Sequence, residues 1–148
     1  MVGIDPALVD PVVAALPGFT QWRKRARDVP LRDLRAFEWV VADMNIDPTS
    51  TLDSIGRVVT APGSRATGII ATLKIPDWSR AAGLDDWLGQ FRSWGFTPRA
   101  RQLSTGGREV CVVAQRTGRR HSRRGGQDAA RRGDGVRRSR PARRQPDR

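Results

Sequence analysis

Apolar residues change their spacing several times along this chain, and each change predicts an element. Residues 37–42 (FEWVVA) form a short apolar run ending at Asp43, the pattern of a buried strand followed by a loop. Ser50 then offers an N-cap with Asp53 three positions on, and Leu52, Ile55, Val58 and Val59 recur at helical spacing until Pro62 and Gly63 stop them. Residues 67–75 (TGIIATLKI), rich in β-branched side chains and closed by Pro76, predict a second buried strand. From Leu84, the residues Trp87, Leu88, Phe91 and Trp94 mark one face of a helix with Gly95 as its C′ residue. Residues 97–103 and 109–115 frame Ser104-Thr105-Gly106-Gly107 and read as a β-hairpin.

The first 35 residues are less regular. Residues 2–4 read as a short strand ending at Asp5, and a short helix opens at Asp10 or Pro11 and runs through Leu16. Residues 22–27 make a weak strand, because four of the six are basic. Repeated strand-helix units followed by a hairpin predict an α/β fold: a mostly parallel sheet covered by helices, with right-handed crossovers and a terminal antiparallel hairpin.

In an open parallel sheet, ligands sit outside the carboxyl ends of the strands. Asp5, Asp43 and Lys74 fall at or near such ends. Glu109 begins the last strand, and if that strand is antiparallel its start lies on the same rim. Lys74 is the most informative of the four, because only Lys24 and Lys74 among the 27 basic residues are lysines. Arginine keeps its proton, whereas a lysine with a lowered pKa can act as a base. The plainer reading is a lysine snorkelling from a strand end to water. Asp43 reads equally as an Asx-turn residue, Glu109 as a surface charge beside the hairpin, and Asp5 before Pro6 as a turn dipeptide. The stripe of Trp87, Phe91 and Trp94 reads as core rather than as a stacking platform, and Cys111, among valines, as a small core residue.

Composition narrows the chemistry. At 148 residues, 38% hydrophobic and 28% charged, the chain suits one globular domain. No run approaches the roughly 18 apolar residues of a spanning helix, and neither a basic n-region nor an apolar h-region opens the chain, so a cytoplasmic protein without a membrane partner is expected. One cysteine and one histidine, Cys111 and His121, exclude an internal disulfide, a His-rich zinc site and a Ser-His-Asp triad, and no metal is expected.

The net charge of +12 is unevenly spread, with 15 basic and 12 acidic residues up to position 116 against 12 and 3 beyond it. The segment 117–148, arginine-rich with Val136 as its single large aliphatic residue, is expected to be disordered. It either binds RNA phosphates or is a solvated appendage.

Three segments together, VVADMN (40–45), ATLKIP (71–76) and ARQLSTGGREVCVV (100–113), resemble the FtsJ-like ribose 2′-O-methyltransferases, most of all the RlmM-type enzymes of 23S ribosomal RNA. The resemblance covers about residues 2–116. It implies a Rossmann-like fold, S-adenosylmethionine as cofactor, RNA as partner, and methylation of a ribose 2′-hydroxyl. The family's catalytic group is a Lys-Asp-Lys-Glu tetrad. Its Asp falls on Asp43, its proton-accepting Lys on Lys74 and its Glu on Glu109. Asp5 resembles the acid that holds the cofactor's ribose, Asp28 the acid near its adenine, and Asp43 is shared with the cofactor site.

The family's first strand, glycine-rich cofactor loop and first tetrad lysine precede the position of Val2. The expectation is therefore the C-terminal part of a catalytic domain, weak or inactive by itself. In that fold the first strand lies between the second and the fourth. Residues 2–4 are accordingly expected to lack a strand partner, the edge at 39–42 to be exposed, residues 36–116 to hold the ordered core, and residues 1–35 to be loosely attached. The alternative reading is a non-catalytic RNA-binding remnant that uses its arginine-rich tail.

Overall fold

The structure, a computed structural model, describes residues 1–75, 77–103 and 107–116, except for the side chains of Trp78 and Arg80. The expected disorder of 117–148, Pro76 and most of the hairpin turn lie outside the described residues. The elements in chain order are β1 (Val2–Ile4), α1 (Pro11–Ala14), β2 (Thr20–Trp22), α2 (Leu31–Leu34), β3 (Trp39–Asp43), α3 (Pro48–Val59), β4 (Gly68–Lys74), α4 (Leu84–Ser93), β5 (Phe96–Gln102) and β6 (Glu109–Arg116), with 3-10 turns at Ala26–Asp28 and Trp78–Gly83. They form a mixed α/β structure with two sheets: a parallel pair β1-β2, and a four-stranded sheet in the order β3-β4-β6-β5. In the larger sheet β3 runs parallel to β4, while β6 is antiparallel to both β4 and β5.

Strand alternation sorts this sheet into two unlike faces. Ala42, Ile69, Ala71, Leu73, Val110, Val112 and Ala114 point one way and are buried against Leu52, Ile55 and Val59 of α3 and Phe91 of α4. Both helices therefore cover the same face. The aromatic stripe of α4 is core, as its spacing predicts: Phe91 is fully buried and meets Trp94 edge-to-face at 5.3 Å, and Trp87, Leu88 and Trp94 pack on the cluster. A Cβ on Gly56 would approach Trp94 to 2.9 Å, so glycine lets α3 and α4 pack closely. Gly95 ends α4 at φ +83°, the left-handed C′ conformation expected of it. The opposite face carries Trp39, Val41, Asp43, Ile70, Thr72, Lys74, Glu109, Cys111 and Val113. It is open enough that Val41 is 70% exposed in mid-strand.

Several sequence expectations need correction. Residues 2–4 do have a partner: Val2, Gly3 and Ile4 pair in parallel with Thr20, Gln21 and Trp22. The Phe19 ring lies where a Cβ on Gly3 would stand, 2.8 Å away, so the missing side chain makes room for it. The strand expected at 22–27 is thus displaced to Thr20–Trp22. The basic run turns instead, with Lys24 N–H bonded to the Trp22 carbonyl at 2.8 Å.

Helix α3 starts one turn before Ser50. Pro48, with no N–H to satisfy, takes the first position, and the Asp47 carboxylate accepts the Ser50 N–H at 3.0 Å. The helix expected through Leu16 is only Pro11–Ala14, capped by Asp10. The larger sheet is not mostly parallel, since two of its three pairings are antiparallel. Cys111 is half-buried on the open face rather than in the core, because β6 alternates Val110 and Val112 inward.

Segment 27–35 is tied to α3 and to the stretch before β4. The Arg57 guanidinium donates to the Arg27 carbonyl at 3.4 and 3.5 Å, Arg65 N–H to the Arg35 carbonyl at 3.1 Å, and Val29 and Leu34 are buried.

Candidate functional site

The open face ends in a charged rim. Asp43 closes β3 opposite Thr72, and Lys74 closes β4 opposite Glu109, the first residue of β6. In strands of period two, Asp43, Thr72, Lys74 and Glu109 fall on one face without any further device. The ladder continues one step past the rim, where Ile75 N–H donates to the Arg108 carbonyl at 2.7 Å. Leu103 N–H donates to the Glu109 carbonyl at 3.2 Å, which ties the end of β5 to the same point.

Lys74 Nζ donates to Glu109 Oε1 at 2.6 Å and stands 3.1 Å from Asp43 Oδ1. The amine is the most enclosed member of the group, its side chain 26% exposed against 44% for Glu109 and 68% for Asp43. The hydrogen bond to Glu109, then that to Asp43, raise the Lys74 pKa above the ordinary lysine value, against a smaller opposing effect of desolvation. At neutral pH Lys74 is an ammonium held by two carboxylates.

Beside the pair is an open cleft of about 350 Å³ lined by Asn45, Ile46, Asp47, Lys74, Ile75, Arg108 and Glu109. That is near the lower end of the roughly 300–1,000 Å³ usual for small-molecule sites. Asn45, Ile46, Asp47 and Arg108 have no part in the sequence reading of the site. Their only advance signal was adjacency to Asp43 and Glu109.

Of the five residues singled out by sequence, the structure brings Asp43, Lys74 and Glu109 together. The other two stand apart from this contact set. Asp5 follows β1 and accepts the Ala7 N–H at 2.7 Å in an Asx turn. Gln21 braces that turn, donating to the Ala7 carbonyl and, at 3.3 Å, to the Asp5 carbonyl. Asp28 ends a 3-10 turn, its side chain 58% exposed and 3.8 Å from Arg27 Nε.

Among the described residues no cluster of three His, Cys, Asp or Glu side chains could hold a metal ion, and no helix is long and apolar enough to cross a membrane. No protein family matches the chain, and no curated protein matches it.

Proposed function

We propose that this chain belongs to an S-adenosylmethionine-dependent RNA ribose 2′-O-methyltransferase of the FtsJ-like kind, acting on 23S ribosomal RNA, and that it carries the Asp-Lys-Glu part of the catalytic group. The observation that carries this reading is Lys74 between Glu109 at 2.6 Å and Asp43 at 3.1 Å, on the rim formed by the ends of β3 and β4 and the start of β6. Strand arrangement supports it as well. Among the described residues β1 pairs only with β2 and β3 only with β4, which leaves each with the free edge that a strand between the family's second and fourth would occupy.

The donor set suits the nucleoside half of the cofactor. Asp5, fixed by its Asx turn, offers a carboxylate to a pair of ribose hydroxyls, and Asp28 one to an exocyclic amine. Among the described residues nothing matches the methionine half: the positive-φ glycines, Gly18, Gly63 and Gly95, follow helices rather than the carboxyl ends of strands. When bound, S-adenosylmethionine supplies an electrophilic methyl group and a sulfonium charge that opposes the raised pKa of a nearby amine.

The chain's own part is proton handling. Lys74, an ammonium at rest, would first have to release its own proton to solvent; the amine then accepts the proton of the ribose hydroxyl, and Glu109 and Asp43 accept hydrogen bonds from the ammonium formed again. The carboxylates thus stabilise the product state of the proton transfer and fix where the amine stands.

The test is single-turnover transfer, with protein in excess over ribosomal RNA and labelled S-adenosylmethionine. Slow labelling in alkali-stable dinucleotides, abolished by Lys74→Ala, is expected. Labelling that survives Lys74→Ala would end the assignment. So would its absence combined with RNA binding that disappears on deletion of 117–148, the outcome expected of a non-catalytic RNA binder.

A further inference from the structure

We propose that the open face of the larger sheet is a self-association surface, on which a second copy of this chain stacks face to face about a two-fold axis running along the strands between β4 and β6. This goes beyond the reading above and does not depend on it.

The face lacks cover. Helices α3 and α4 both pack on the opposite side, and the register lines up Val41, Ile70 and Val113 as one apolar row across three strands. Val41 is 70% exposed, with Trp39 at 46% and Val113 at 39% on the same face. Contiguous apolar surface marks a contact site. The basic segment 117–148, with one large aliphatic residue, has no apolar stripe to lay on it.

Charge decides which partner fits. The same register ends the apolar row at Arg99 and places Arg101 level with Asp43, on the opposite edge of the sheet. Both arginines are exposed, and neither has an ion-pair partner among the described residues. The face thus has an acidic rim, where Asp43 and Glu109 outnumber Lys74, and a basic edge along β5. Asp47 and Arg108 lie off the strands, before α3 and β6, and take no part.

A two-fold axis between β4 and β6 exchanges β3 with β5 and β4 with β6. It sets Asp43 against the second copy's Arg101, Lys74 against its Glu109 and Ile70 against its Val113. Val41 meets the aliphatic stem of its Arg99. No like charges stand directly opposite. An axis across the strands would instead bring Arg99 against the second copy's Arg101, so charge selects the first arrangement. Four strands at about 4.8 Å spacing and about 3.3 Å per residue give a footprint of roughly 400 Å² per copy, a small interface of the reversible class. Its formation covers Lys74 and Glu109, so association competes with any ligand at the rim.

The experiment is sedimentation of the full 148-residue chain between about 10 μM and about 1 mM, at an ionic strength that screens its net charge of +12 beyond about 8 Å. A monomer–dimer equilibrium is expected, weakened about tenfold or more by Val41→Asp and by Arg101→Glu. Val12→Glu, at a residue 76% exposed elsewhere, should leave it unchanged. Arg101→Glu and Asp43→Arg chains, each monomeric alone, should associate when mixed, because the mixed pair sets opposite charges together again. The chain's single cysteine reports the orientation. Stacked sheets put the two Cys111 residues roughly 11 Å apart, within reach of a short bismaleimide, which should join wild type and not Val41→Asp. Near-ultraviolet circular dichroism certifies that each variant folds. A chain monomeric at the highest concentration overturns the proposal. So does a dimer that persists in Val41→Asp, disappears in Val12→Glu or escapes the Cys111 cross-link, and so does a mixture of folded charge variants that stays monomeric.

Discussion

Lys74 and Glu109 are cross-strand partners, paired in the β4-β6 ladder and joined by a 2.6 Å hydrogen bond across 35 residues of sequence. The antiparallel pairing fixes the contact, because it sets their Cβ atoms directly opposite on the open face. Asp43 arrives differently, from the end of a parallel neighbour, and meets the amine diagonally at 3.1 Å.

This difference should be visible in the titration of Lys74. Its amine is raised above 10.5, with the Glu109 hydrogen bond as the largest cause and Asp43 next. Glu109→Gln is therefore expected to lower the Lys74 pKa more than Asp43→Asn does, as followed by NMR of the side-chain Cε. Because the folded-state pKa is the higher one, the stability contributed by the pair is complete below the unfolded value and is lost as pH rises through the folded value. Lys74→Met should consequently lose stability relative to wild type at neutral pH, with the difference shrinking above pH 10.5. An equal effect of the two carboxylate variants would remove Glu109 from its leading place.

Trp39 and Gly68 form a second pair across neighbouring strands. They share a register position, and a Cβ on Gly68 would lie 2.5 Å from the indole, so the ring rests on the bare glycine. Gly68→Ala is expected to push the half-exposed ring away and cost about 1–3 kcal/mol. In a Trp39→Ala background the same change should be neutral or stabilising, because alanine restricts the unfolded chain more than glycine does. Denaturant unfolding of the four species gives the coupling directly. An additive cycle would mean that the ring does not need the gap.

How much of this was legible in the sequence depends on which interaction decides each feature. Local chemistry was readable: the apolar stripe of α4 and its terminal Gly95 stand where pattern places them, and the strand ends at Asp43 and Lys74 fall within one residue of the expected 42 and 75. Helix α3 began earlier than expected because Asp47-Pro48 competes with Ser50 and wins by satisfying an N–H with a carboxylate while removing another N–H altogether. The β1-β2 pairing was missed because three-residue strands carry almost no periodic signal, and a glycine under a phenylalanine ring has none. Convergence of Asp43, Lys74 and Glu109 followed from strand direction alone. The cleft did not, since Asn45, Ile46 and Arg108 reach it through loops.

Thr51 offers a test of the core. It is fully buried in α3, and its hydroxyl has no hydrogen-bond partner among the described residues. An unsatisfied buried hydroxyl is a cost that an isosteric methyl removes. Thr51→Val is expected to stabilise the protein by up to about 1 kcal/mol in denaturant unfolding. A loss of more than that amount would show that the hydroxyl finds a partner in solution.

The start of α3 sets the position of the cleft wall, since Asp47 both caps the helix and lines the cleft. Its pKa is held below the ordinary 3.8 first by hydrogen bonding to the Ser50 side chain and then by the Ser50 N–H that its carboxylate accepts. Asp47→Ala should cost about 1 kcal/mol at neutral pH, the usual value of such a cap. A depressed folded-state pKa means that the contribution is present above 3.8 and disappears as pH falls through the lower folded value, so wild type and variant should converge in acid. Asp47→Asn keeps an acceptor without the titrating charge and should retain most of the stability with a flatter acid limb. Parallel stability curves for wild type and Asp47→Ala down to pH 2 would show that the carboxylate does not cap the helix in its ionised form.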